Sequence, residues 1–218
     1  SALPLDEDSV EAVDKVAAVS RETREKLETY VALLKLWQKT INLVAPATVD
    51  HVWARHVADS AQLFGLAPAQ AKFWIDLGSG GGFPGMVLGI MLAERPGARM
   101  TLIESDSRKA AFLREVARKV AAPVDIVCAR IENAATQFSV ASVDVVTARA
   151  LAPLPKLFGL ARPLFGPDTV ALFLKGRDAQ AELQEAQTQW SGIWPFKAEL
   201  VPSRTDSAGR IVRVRREV

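Results

Sequence analysis

Cysteine is nearly missing from this 218-residue chain: Cys128 stands alone, so no intramolecular disulfide can form. Two histidines add too few soft ligands for a structural zinc site, and no metal is expected. A reducing cytoplasm suits this composition. Apolar runs of the roughly 20 residues that cross a bilayer are absent, so no membrane partner is expected. The first residues turn acidic at Asp6, Glu7 and Asp8, unlike the basic and then greasy start of a secretory leader. There is little excess of either charge. The balance of 27 Lys+Arg against 25 Asp+Glu leaves +2, which neither marks nor excludes a nucleic-acid binder, because basic groups act locally. Internal repeats and low-complexity linkers are also lacking, and a monomer is expected.

What is present is enough apolar sequence for a sizeable core, 49% of residues against 24% charged. The length suits one domain, or one domain with a small appendage. The first 70 residues read as helical. Leu27, Tyr30, Val31, Leu34, Trp37 and Ile41 form one apolar stripe, and Val49, Val52, Trp53, His56, Ser60, Leu63 and Phe64 form another. From residue 72 the rhythm changes. Short apolar runs at 73–77, 100–104, 124–128, 143–147 and 169–174 alternate with helical patterns near 84–94, 107–121, 154–165 and 177–190. Residues 211–218 alternate in period two and predict a terminal antiparallel strand paired with residues around 196–201. The expected fold is therefore α/β: a doubly wound, mostly parallel seven-stranded, Rossmann-like sheet over residues 72–218. A helical extension, residues 1–71, packs on it.

The stretch Asp76-Leu77-Gly78-Ser79-Gly80-Gly81-Gly82-Phe83-Pro84-Gly85 follows a strand and opens a helix. Glycines there let the chain turn tightly and let a ligand approach the backbone. The amides at the helix start favour a negative group such as a carboxylate. Two cofactors fit this loop. Residues 80–85 satisfy the dinucleotide pattern G-x-G-x-x-G. Residues 76–82 satisfy D-x-G-x-G-x-G, typical of S-adenosylmethionine enzymes. Glu104, at the end of the next strand run, would accept hydrogen bonds from both ribose hydroxyls of either cofactor. Asp76 favours the methyl donor, because a carboxylate sits poorly beside a pyrophosphate but suits an ammonium and a sulfonium. Pro84 removes an amide donor that a dinucleotide would use. A Gly-rich turn without a ligand is the bland alternative.

These residues, with others in order along the chain, resemble bacterial 16S ribosomal RNA guanine-N7 methyltransferases, the family historically named for glucose-inhibited division. The carriers are Trp37 and Asn42-Leu43, then Arg55-His56-Val57-Ala58-Asp59-Ser60, then the glycine loop with Phe83-Pro84-Gly85. Glu104-Ser105, Lys109, Phe112-Leu113-Arg114, Arg130-Ile131-Glu132, Thr147-Ala148-Arg149-Ala150 and Leu174-Lys175-Gly176 follow. The resemblance runs from about residue 27 to the end. It departs at Val44-Ala45, where the family carries Thr or Ser. Residues 1–20 and the arginine-rich tail match loosely.

The resemblance implies a class I S-adenosylmethionine methyltransferase that releases S-adenosylhomocysteine. Its partner would be 16S rRNA, within the small ribosomal subunit or an assembly intermediate, and its target a guanine in the decoding-region loop. It implies that Gly78 and Phe83 touch the cofactor, with Gly80 shaping the pocket, and that Ile131 and Glu132 border the adenine. By position alone Glu132 is equally an ordinary helix-start acid. Arg149 and Lys175 follow the fourth and fifth strand runs, where doubly wound sheets bind ligands. Arg149 would hold a phosphate, a base edge or a cofactor carboxylate, or else form a structural pair with Asp144 or Asp76. His56 either fills the core or shapes the RNA site, with Asp59 and Ser60 beside it on one helical face; alternatively, Arg55 and Asp59 form a plain i,i+4 pair. Guanine N7 carries a lone pair and no proton, so its methylation needs alignment rather than a base. The stretch Ala148–Pro153 lacks the Asn/Asp-Pro-Pro-Tyr/Phe signature of amino-group methylation. The competing functions are a small-molecule methyltransferase, a nicotinamide-dependent enzyme and a non-catalytic nucleotide-sensing domain. Arg21, Arg24, Lys26, Arg55, Arg204, Arg210, Arg213, Arg215 and Arg216 are candidates for phosphate contacts.

Overall fold

The computed structural model describes residues 8–139 and 142–217. Seven strands form one sheet: β1 (Phe73–Leu77), β2 (Arg99–Ile103), β3 (Val124–Val127), β4 (Val145–Arg149), β5 (Val170–Lys175), β6 (Phe196–Pro202) and β7 (Arg210–Arg216). Their order is β3-β2-β1-β4-β5-β7-β6. The first five strands are parallel. The chain reverses direction between β1 and β4, which opens a crevice at the strands' carboxyl ends. Strand β7, the last in the chain, is interior to the sheet. It pairs antiparallel with β6, as its alternation predicts, and also with β5.

Helices cover both faces, so β1, β4 and β5 are buried along nearly their whole length. On one face lie α1 (Glu11–Asp14), α2 (Arg21–Trp37), α3 (Asp59–Ala61), α4 (Gly85–Met91) and α5 (Ser107–Val120). On the other lie α6 (Ile131–Ala134), α7 (Leu154–Ala161) and α8 (Ala179–Trp190). Helix α2 starts where the Ser20 hydroxyl accepts from the Thr23 amide. Helix α5 starts where Asp106 accepts from the amides of Arg108 and Lys109, and it stops at Ala121 in a left-handed conformation with φ 48°. Leu27, Tyr30 and Leu34 of α2 join Phe83, Phe112 and Leu113 in one core, so the N-terminal segment is built into the sheet's cover. No helix among the described residues is long and apolar enough to cross a membrane.

Two expectations shift. The second N-terminal stripe is not one α-helix. It runs as a 3-10 turn at Pro46–His51, a π-helix at Trp53–Ala58, and then α3. The wider π turn changes which side chains share a face. Strands β4 and β5 also extend two and one residues further than their apolar runs, because pairing continues through Arg149↔Leu174 and Lys175↔Arg210. Arg149 and Lys175 are therefore the last residues of their strands.

Candidate active site

Two adjoining cavities open at the carboxyl end of the sheet. The first, about 450 Å³, is walled by the glycine loop from Gly78 to Phe83, by Glu104 and Ser105 after β2, by Ile131 and Glu132 at the start of α6, and by Arg149 to Ala152. The second, about 530 Å³, lies across Arg149 and takes in Arg55, His56, Asp59, Lys175, Asp178 and the loop between β6 and β7. Leu43, Arg149 and Ala150 belong to both. Gly78, Gly80, Phe83, Glu104, Ile131, Glu132 and Arg149 thus meet in one crevice, as the sequence predicts. His56 and Lys175 border the neighbouring one.

The loop is shaped by close contacts behind it. Gly82 has φ 103°, which side chains avoid, and a Cβ there would strike the Tyr30 hydroxyl and come within 2.8 Å of Met86 Cβ. A Cβ on Gly81 would lie 2.7 Å from the Leu43 carbonyl oxygen. The buried Tyr30 donates to the Gly81 carbonyl at 2.5 Å. Burial pushes the Tyr30 phenol well above its usual range, so it stays protonated and donating. Glu104 holds the loop from the other side. Its Oε2 accepts from the Gly80 amide at 2.7 Å, and its Oε1 accepts from the Asp106 amide at 3.0 Å.

Phe83 sits in a stack. The His56 ring lies 5.1 Å away at an interplanar angle of 29°, Tyr30 lies 5.4 Å away, and the Arg149 guanidinium carbon is 5.2 Å from the Phe83 centroid. Phe83 is thus both a core residue and a wall of the crevice. His56 shares a 2.7 Å hydrogen bond with the Thr48 hydroxyl. Burial, then the charges of Arg149 and Arg55, lower its pKa to about 3, so His56 is neutral at physiological pH.

Arg149 pairs with neither Asp144 nor Asp76. Asp144 is taken by the amides of Lys72 and Phe73. Arg149 Nη1 instead lies 3.7 Å from Asp59 Oδ2 and donates to the Arg55 carbonyl at 3.4 Å. The expected Arg55–Asp59 pair is therefore not formed: Asp59 faces Arg149, and its Oδ1 accepts from Thr205 Oγ1 at 2.7 Å and Gln62 Nε2 at 2.9 Å. The Ser60 hydroxyl donates to the His56 carbonyl at 2.7 Å. Lys175 pairs with Glu182 at 2.7 Å and donates to the Ala152 carbonyl at 2.9 Å.

Asp76 is the displaced member of the predicted set. It is fully buried behind the loop and does not border the crevice. Its Oδ1 accepts from Thr147 Oγ1 at 2.7 Å, and its Oδ2 has no hydrogen-bond partner among the described residues. Burial lifts its pKa to about 6. Among the candidate phosphate contacts, Arg21, Arg24, Lys26 and Arg213 are tied to nearby carboxylates. Arg55 and Arg210 border the second cavity without an ion pair among the described residues. Sequence reasoning missed Tyr30, Gln62, Leu151 and Thr205. Gln62 and Thr205 are distant in sequence from the loop and ordinary in type, while Tyr30 reads only as part of an apolar stripe and Leu151 only as a neighbour of Arg149.

The family described as rRNA small subunit methyltransferase G matches residues 23–203. Ribosomal RNA small subunit methyltransferase G of Parvibaculum lavamentivorans is 53% identical over 205 residues, covering 94% of this chain and 88% of that protein. The protein of that name from Methylobacterium sp. (strain 4-46) is 51% identical over 213 residues, covering 97% and 96%. Among solved structures, an O-methyltransferase from Bacillus cereus in complex with SAH superposes with a TM-score of 0.58 at 15% identity, covering 94% of this chain and 95% of that one. A Corynebacterium glutamicum protein gives a TM-score of 0.58 at 16% identity, covering 94% of each. Those two likenesses show a shared fold. The chain belongs to the rRNA small subunit methyltransferase G family.

Proposed function

We propose that this member of the family transfers a methyl group from S-adenosylmethionine to N7 of a guanine in the decoding-region loop of 16S rRNA, presented by the small ribosomal subunit or an assembly intermediate. The observation that carries the reading is the pair of cavities meeting at Arg149, one built for a nucleoside and the other open to an incoming base. The first has the volume of a cofactor site and the right donors and walls. Glu104 would accept from the two ribose hydroxyls, Ile103, Ile131 and Leu151 would pack the adenine, and the loop backbone from Gly78 to Gly81 would receive the methionine end.

When bound, S-adenosylmethionine supplies a methyl group on a positively charged sulfur. The chain's residues do the remaining work by alignment. Leu43, Arg149 and Ala150 form the wall shared by donor and acceptor. His56 holds the face of Phe83 and moves no proton, because N7 has none to lose. The family relationship, which covers nearly the whole chain, favours the methyl donor over the nicotinamide reading.

The test is twofold. Calorimetry should detect S-adenosylhomocysteine and no nicotinamide dinucleotide. Methyl-labelled cofactor should then label the RNA of purified small subunits. Dinucleotide binding, or label that never reaches RNA, overturns the proposal.

A further inference from the structure

The site's cations fall into two groups. Those inside are each matched by a carboxylate: Arg149 by Asp59 at 3.7 Å, and Lys175 by Glu182 at 2.7 Å. Those at the rims are not. Lys109, Arg130 and Lys156 around the first cavity, and Arg55 and Arg210 around the second, have no ion pair among the described residues. A polyanion approaching from outside meets these five cations beside the exposed carboxylates of Glu132, Asp178 and Asp206. A ligand inside meets pairs. That division fits the chemistry of the proposed reaction, whose donor carries a positive sulfur while its acceptor hangs on a phosphate chain.

Asp59 is anchored more firmly than an isolated counter-ion. Thr205 and Gln62 both donate to its Oδ1, which leaves Oδ2 toward Arg149. Gln62 is itself tied to the β6–β7 loop, because its Oε1 accepts from the Arg204 amide at 2.8 Å and its Nε2 donates to Ser203 Oγ at 3.1 Å. The guanidinium it faces also lies over Phe83 on the wall common to both cavities. An unmatched guanidinium there would repel a sulfonium in a poorly solvated crevice.

We propose that Asp59 is the positioning residue and counter-charge of Arg149: held by Thr205 and Gln62, it fixes the guanidinium at the wall between the cavities and makes that wall tolerant of a sulfonium. This rests on the methyl-donor reading above. The carboxylate acts through Arg149 and through its field.

The test compares a sulfonium ligand with its neutral thioether. Dissociation constants of S-adenosylmethionine and S-adenosylhomocysteine are measured by calorimetry for the wild type, Asp59→Asn and Thr205→Val. Asp59→Asn keeps the shape of the side chain and removes the charge. It should raise the ratio of the two constants about tenfold against S-adenosylmethionine, with S-adenosylhomocysteine changed by less than about threefold. Thr205→Val should move the ratio in the same direction, by about threefold, and Thr205→Ser should restore it. If Asp59→Asn does not fold, the Thr205 pair decides alone. Equal weakening of both ligands, or an unchanged ratio, overturns the inference and leaves the methyl-donor reading intact. Failure of the wild type to bind either ligand overturns the reading itself.

Discussion

Glu104 bridges two half-buried amides with separate oxygens, and the substitution Glu104→Gln separates its structural duty from its proposed ligand duty. The glutamine side chain would keep the volume but offer one oxygen. Whichever way its amide turns, an NH2 group would face either the Gly80 amide, now 2.7 Å from Oε2, or the Asp106 amide, now 3.0 Å from Oε1. One charge-assisted bond is lost, and its donor, the amide of a half-buried Gly80 or Asp106, is left facing an NH2 group beside the buried side chain of residue 104. Such a loss costs about 1.5 to 3 kcal/mol. For a chain of this length that lowers Tm by about 3 to 12 °C without any ligand. The carboxylate would also accept from two ribose hydroxyls, so the affinity for S-adenosylhomocysteine should fall by roughly 10- to 100-fold. Thermal unfolding of the ligand-free protein reads the first effect, and calorimetry reads the second. An unchanged melting point refutes the bridge between loop and strand. An unchanged affinity in a destabilised variant refutes the ribose role and spares the bridge.

Other outcomes follow from the same geometry. Asp76 and His56 should tilt stability oppositely with pH. The folded pKa of Asp76, about 6, exceeds its ordinary value of 3.8, so its contribution is lost as pH rises through that window, by about 3 kcal/mol. The folded pKa of His56, about 3, lies below 6.5, so its contribution is lost as pH falls from 6.5 toward 3. Denaturant unfolding of Asp76→Asn between pH 4 and 6 should rise more steeply with pH than the wild type, and His56→Gln should rise less; matching slopes in all three proteins would contradict both assignments. Gly82→Ala should destabilise by roughly 3 kcal/mol or more, because φ 103° and the Tyr30 hydroxyl both oppose a Cβ. Adding Tyr30→Phe should recover only part of that loss in chemical unfolding.

The sheet was legible because each parallel strand is a short, mostly apolar run and the longer helices α5, α7 and α8 lie between strands. Asp76-to-Gly85 and Glu104 announced the crevice through the same logic: a glycine turn after a strand and an acid at the end of the next. Order within the sheet was harder to read. Nothing in Ile211–Arg216 says that β7 wedges between β5 and β6, since alternation reports burial and not neighbours. The partner of Arg149 was also hidden. Asp59 lies 90 positions earlier, and the π-helix Trp53–Ala58 turns the helical face away from where i,i+4 spacing would put it. Asp76 misled because a carboxylate at a strand end looks like a ligand, whereas here it is fully buried behind the loop with Thr147.

The central claim is methyl transfer to guanine N7 in small-subunit RNA. Mass-spectrometric mapping of 16S rRNA from cells with and without this chain tests it directly. The account predicts one 7-methylguanosine in the decoding-region loop that disappears without the chain and returns when it is restored. An identical modification map in both strains, or the loss of a methyl group from another atom, would contradict it.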